Sequence, residues 1–398
     1  MIKKEKMYNI VFMLCIILLS LGYESHLFDF YNYFQILASF LFVVLFIVYI
    51  NLEGRLNIED NKLLYLLLAI MAFNSTIASL IYNENSISSV LSVYLMFFTG
   101  ITMYIVIPKL MNKYKKIELN LMNYLSIFCF VLALFSIVME INGGSFLIWQ
   151  KPYTTRTASI YYDPNFYANI IGCGFSIVAV RNDVNKKIKF LVLSVIAYSI
   201  YLSGSRGTLL SLALAIFLYI VIFSNLKKYK KIIILFLLLI TGIQGYMYLD
   251  SVDYFRTYQG SNNRLDMWEW AFEKIISSPI IGYGYGSVAT LLSSSGFTNA
   301  STHNSFVDYA FSYGLICLIL YLNLIFKVIY RAIKNRIVGP VLLTVLFMLI
   351  NSNTILYSFG GVGFSSIILT IFLGVLNFKN MIMLRYRPIY VSDSRSHK

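Results

Sequence analysis

Four residues stand out for the chemistry their settings permit. Arg206 sits in SGSRGTLLSL, where Gly204 and Gly207 allow close backbone approach just before an apolar run. A planar guanidinium holds two phosphate oxygens at once, and the amides that open a helix favour an anion. An arginine so near hydrocarbon is costly unless it is paired or faces a wet cavity. Two readings follow, snorkelling to lipid headgroups or recognition of a substrate phosphate. Arg156 lies in TTRTASIYYDPNFYANI, upstream of Asp163, Pro164 and Asn165. Asp163 reads as a helix cap, an ion-pair partner for an arginine, or a base. Arg264 opens NNRLDMWEWAFEKIISSP, and His303 with Asn304 stands before another apolar run. A lone histidine there is structural or functional, and several arginines on the same side favour function.

The elements that must position these residues are membrane helices. The chain has 398 residues, 59% hydrophobic and only 13% charged, against roughly 25% charged in an average soluble domain. Mean hydropathy is +0.72. This excludes a soluble globular enzyme, a disordered chain and a nucleic-acid-binding module, despite a net charge of +14. A spanning helix needs about 20 mostly apolar residues. That template gives twelve spans, at 7–22, 33–50, 63–82, 87–107, 119–141, 164–180, 188–203, 207–224, 232–249, 305–326, 338–357 and 361–378.

Basic residues test the layout independently, because they concentrate in cytoplasmic loops. With both termini cytoplasmic, 26 of the 32 lysines and arginines fall inside. Six fall outside: Lys151, Arg156, Arg206, Arg256, Arg264 and Lys274. The charge excess is therefore mostly a topology signal. The outer six run against that signal, which favours a function for them.

The expected class is an all-α polytopic membrane protein, residues 1–398 forming a single integral membrane domain. The N-terminus resembles a secretory signal but lacks a small-residue cleavage pattern, so it reads as an uncleaved first span. Cys15, Cys129, Cys173 and Cys317 all lie in apolar runs, which points to buried thiols and not to disulfides or zinc. The long outer loop, 250–304, contains an amphipathic helix over 264–278. Leu265, Trp268, Phe272 and Ile275 form its apolar stripe, suited to the headgroup boundary. GYGYGS follows (Gly282 to Ser287) and reads as a hinge or tight loop, or as a backbone cradle for phosphate.

Three blocks together resemble the O-antigen ligase and polymerase superfamily. They are SGSRGTLLSL, NRLDMWEWAFEKIISSPIIGYGYGS and THNSFVDYAFSYGLI. Arg156 with Asp163-Pro164-Asn165 is similar to a further block, and the set covers about 160–310. The resemblance implies a glycosyltransferase of the bacterial cytoplasmic membrane, acting on the extracytoplasmic face. Its donor would be a glycan on undecaprenyl diphosphate, as in capsule or O-antigen synthesis. A polymerase passes the growing chain to the next lipid-linked repeat unit, whereas a ligase passes it to a final acceptor. The resemblance implies catalytic roles for Arg206, Arg264 and His303, the arginines on diphosphate and the histidine as base. Arg156 would be a further phosphate contact. Lys151, Asp163, Asn165 and Asn304 complete the candidate substrate-binding set.

That chemistry needs no cofactor and no metal. No D-x-D pair and no P-loop occurs. Fixed guanidinium groups would stabilise the charge developing on the leaving diphosphate. Nearby arginines would keep His303 neutral and ready to accept a proton, with Asp163 or Asp266 as alternatives. Direct displacement inverts the anomeric carbon. The expected partners are undecaprenyl-diphosphate oligosaccharides, membrane lipid, a chain-length regulator and a flippase, with no nucleic acid. The rival from another class is a transporter or flippase for lipid-linked glycans. Charges at the outer mouths and the lack of an internal repeat favour surface chemistry over alternating access.

Overall fold

The computed structural model describes residues 2–22, 31–53, 56, 59–82, 87–143, 145–146, 149–150, 156–223, 227, 229, 264–297, 301–353, 357, 359–361 and 363–385. The described chain is helical, apart from a two-residue antiparallel pair, β1 (Ser145–Phe146) with β2 (Trp149–Gln150). In chain order come α1 (Ile2–Gly22), α2 (Tyr31–Glu53), α3 (Lys62–Ile81) and α4 (Ile87–Ile101). A π-helical turn (Thr102–Val106) carries α4 straight into α5 (Ile107–Lys113). Then follow α6 (Lys115–Ile141), α7 (Pro164–Val180), α8 (Lys186–Leu202) and α9 (Arg206–Phe223). Last are α10 (Arg264–Ser277), α11 (Ser287–Ser294), α12 (Ser305–Lys334), α13 (Pro340–Asn351) and α14 (Phe364–Arg385).

Seven of these helical stretches are long and apolar enough to cross a membrane: Ile36–Glu53, Lys62–Ile81, Ser88–Lys113, Lys115–Ile141, Arg206–Phe223, Ser305–Lys334 and Phe364–Met383. The protein is a multi-pass membrane protein. The expected span 232–249 lies outside the described residues, and helices occupy the other expected positions. Two of those helices, α7 and α13, are shorter apolar helices. They are apolar all round and buried, with Val341 to Met348 of α13 wholly enclosed. α7 packs against α6, α8, α9 and α13. α1 also joins the core through Phe12, Ile16 and Leu19, and Tyr161 Oη donates to Ser20 O at 2.6 Å.

Lipid offers helices no mutual hydrophobic drive, so small and polar residues must tie them. Asn169 of α7 does this at the centre. Its Oδ1 accepts from Asn351 Nδ2 (2.9 Å) and Tyr357 Oη (2.5 Å), and its Nδ2 donates to Ser365 Oγ (2.8 Å). Elsewhere Lys113 pairs with Glu53, and Lys379 with Glu118 at 2.7 Å. All four cysteines are buried free thiols, as their apolar settings imply.

Two expectations need correction, and one helix shows a second face. The span 305–326 is one element running to Lys334, and it is broken at Gly314 (φ 81°, ψ 168°). The freed groups are satisfied by the GYGYGS strip: Tyr283 N donates to Phe311 O and Gly284 N to Ser312 O, both at 2.9 Å. Asn74 Nδ2 donates to Ile280 O and Tyr313 O (2.8 and 2.7 Å). The span 338–357 ends earlier, because α13 stops at Asn351. The apolar stripe of α10 is split. Met267, Ala271 and Ile275 face the protein, whereas Leu265 and Phe272 are 62% and 52% exposed. Met267, Ala271 and Ile275, at a spacing of four, seat α10 on α12, while Leu265 and Phe272 stay on its outer side.

Candidate functional site

The site is built where α7, α9, α10 and α12 begin. Asp163 caps α7: its Oδ1 accepts from Asn165 N at 2.8 Å, and Pro164 takes the first helical position. An Asp cap followed by Pro is a strong helix start, since neither wastes a hydrogen bond. Asn165 Oδ1 accepts from Arg156 Nη2 at 2.7 Å, and Arg156 Nε donates to Ser203 O at 2.6 Å. Arg156 thus lies across the turn that precedes α9. Gly204 has φ 60°, and a Cβ there would stand 3.3 Å from Arg156 Nε. Glycine lets the turn close under the guanidinium, and Arg206 then opens α9.

Arg264 opens α10 on the same side. Burial lowers its pKa most, the Arg206 charge lowers it further, and Asp163 opposes both. His303 shares the Asp163 neighbour and adds Arg264. Burial pushes its pKa below the ordinary 6.5, Arg264 pushes it down further, and Asp163 again opposes. Arg264 is therefore within electrostatic reach of Arg206 and Asp163, and His303 within reach of Arg264 and Asp163.

His303 is held in an unusual backbone state, with φ 56°. Non-glycine residues adopt this region rarely and at a cost, His less unwillingly than most. Its neighbours fix it there. Trp268 Nε1 donates to Thr302 O at 2.9 Å, Thr302 N donates to Asp308 Oδ1 at 3.1 Å, and His303 N donates to Ser301 Oγ at 3.3 Å. Asn304 caps α12, its Oδ1 accepting from Phe306 N and Val307 N at 3.0 and 3.3 Å.

The structure therefore brings together Asp163, Arg206, Arg264 and His303. It places Arg156 and Asn165 in a bracing pair beside them, and Asn304 in a cap. Asp266 is exposed on α10. Lys151 and Arg256 lie outside the described residues. Sequence reasoning missed the joint roles of Trp268, Thr302 and Asp308 in pinning the His303 loop. Asp308 did carry a signal, since a carboxylate one turn inside an apolar span needs a reason to be there.

One comparison with known families bears on the class. Residues 190–322 match the family described as O-Antigen ligase. The match runs from α8 to within α12, so it spans the turn before Arg206, the helix opened by Arg264 and the His303 loop. No curated protein and no solved structure matches the chain. The O-antigen ligase family implies a glycan-handling, glycosyltransferase-like activity of the ligase or polymerase type.

Proposed function

We propose that this protein is a polysaccharide polymerase of the cytoplasmic membrane, acting on the extracytoplasmic face. It transfers a polyprenyl-diphosphate-linked glycan chain onto the next lipid-linked repeat unit. The observation that carries this reading is the shared environment of Arg206, Arg264, Asp163 and His303. Two fixed positive charges against one negative charge suit a diphosphate, which gains charge as it leaves.

In the proposed step, the acceptor sugar hydroxyl gives its proton to the neutral His303 imidazole. Its oxygen bonds to the anomeric carbon of the donor glycan. The bond from that carbon to the diphosphate oxygen breaks, and the electron pair departs with the polyprenyl diphosphate. The product is inverted at the anomeric carbon, and His303 returns its proton to water. Burial and Arg264 both favour the uncharged imidazole this step requires. Arg156 and Asn165 set the turn that presents Arg206. No metal and no cofactor is invoked. A chain-length regulator and a flippase supplying the units would work alongside.

The family description favours a second reading, ligation to a final acceptor. Sizing lipid-linked and surface glycans from cells with and without the protein separates the two. The polymerase reading expects single repeat units after loss. Long chains still attached to lipid after loss would make the protein a ligase instead. Normal surface glycan in both strains would remove both readings.

A further inference from the structure

Behind the His303 loop lies a cavity of about 140 Å³, between the GYGYGS strip and the first turns of α12. One water needs roughly 10–15 Å³ by the same kind of measure, so this space suits something larger. Its wall includes Tyr285, Tyr309, Tyr313, Ser305, Ser312 and Asp308. The chemistry is aromatic faces, hydroxyls and a carboxylate.

Two residues of that wall each carry a buried polar atom with no hydrogen-bond partner among the described residues. The atoms are Asp308 Oδ2 and Tyr313 Oη, on side chains 4% and 2% exposed. Buried polar atoms are nearly always satisfied, and each exception calls for an explanation. The other carboxylate oxygen of Asp308 accepts from Thr302 N, beside His303. Ser301 also lines the cavity, while its Oγ accepts from His303 N. The cavity and the histidine therefore share one scaffold.

We propose that this cavity binds a sugar ring of the acceptor glycan. Tyrosine faces pack against the apolar side of a pyranose. Asp308 Oδ2 accepts from a ring hydroxyl, and Tyr313 Oη donates to or accepts from another. Seating one ring there positions the neighbouring hydroxyl toward His303. This assignment rests on the polymerase reading and adds to it the acceptor subsite. It also gives the GYGYGS strip a task, since Tyr285 and Gly286 form part of the wall.

The test uses full-length protein in detergent and two separate probes. One is the repeat-unit oligosaccharide, released by mild acid from lipid-linked units. The other is farnesyl diphosphate, which carries the diphosphate without sugar. Asp308→Asn weakens a charge-assisted hydrogen bond. Ala289→Phe fills the cavity from a small lining residue. Each is expected to weaken oligosaccharide binding about tenfold or more by calorimetry, with farnesyl diphosphate binding unchanged. If Asp308→Asn loses both ligands through misfolding, Ala289→Phe decides. Wild-type protein that fails to bind the oligosaccharide, or unchanged binding in Ala289→Phe, overturns the assignment. Failure of the donor reading shows elsewhere: Arg206→Ala and Arg264→Ala would then bind farnesyl diphosphate like the wild type.

Discussion

A partly buried imidazole near a guanidinium group loses its proton more readily than one in water. His303 is in that setting beside Arg264, and the direction of its shift has consequences for pH dependence. A base must be unprotonated to act, so transfer should rise with pH through the His303 pKa and level off above it. Because that pKa is lowered, the rising limb should lie below pH 6.5. Asp163 opposes the shift. Asp163→Asn keeps a good helix cap but removes the charge, so the limb should move to still lower pH in a pH–rate profile. A limb that stays in place, or moves up, would separate Asp163 from His303. At the same scale, Arg206→Lys and Arg264→Lys should each lower the rate strongly, because an ammonium cannot match a bidentate fork. Residue types and topology grouped Arg156, Arg206, Arg264 and His303 in the sequence, with Asp163 read as a cap, an ion-pair partner or a base. Their placement in one environment was not legible, because it depends on how four helix starts meet. The commitment of Arg156 to Ser203 O and Asn165 was likewise hidden, since spacing of 9 and 47 residues carries no contact signal.

Elements position the site through a few backbone features. α12 can break at Gly314 only because that residue lacks a Cβ, which would stand 2.1 Å from Ile280 O. Its φ of 81° adds a second objection to any side chain. Gly314→Ala should therefore cost several kcal/mol, about 1–3 from backbone strain alone, and lower the thermal midpoint of the detergent-solubilised protein. An unchanged midpoint would mean that the strip and the helix break are not coupled. Trp268→Phe keeps most of the ring packing and deletes the donor to Thr302 O. The expected loss is about 1 kcal/mol of stability, with a lower kcat and normal membrane insertion. A variant with wild-type kcat would show that the His303 loop holds itself. Pattern located most helices well, since apolar length is a strong signal. It did not reveal the break in α12, because Ser312 to Leu315 reads as helix until the docking strip is known. Nor did it find the protein-facing side of α10, because Met267, Ala271 and Ile275 compete with a louder aromatic stripe.

At the scale of the whole molecule, the proposed transfer requires the starts of α7, α9, α10 and α12 to face the extracytoplasmic side. The native cysteines are buried, so a single added thiol reports cleanly. Tyr162 is 47% exposed beside the site. Tyr162→Cys should react with a membrane-impermeant maleimide in spheroplasts without lysis; labelling only after lysis would invert the topology. The distribution of basic residues is what predicts that orientation, because membrane insertion reads charge directly. The cavity proposed for the acceptor is a local feature that no such global pattern carries. The central claim is transfer between lipid-linked units at the Arg206, Arg264 and His303 cluster. Its most direct test is the purified full-length protein, incubated with lipid-linked single repeat units and resolved by size. The account predicts a ladder of lipid-linked oligomers with the wild type and none with Arg206→Ala, Arg264→Ala or His303→Ala. Units that stay single with the wild type, or a full ladder from the arginine variants, would contradict it.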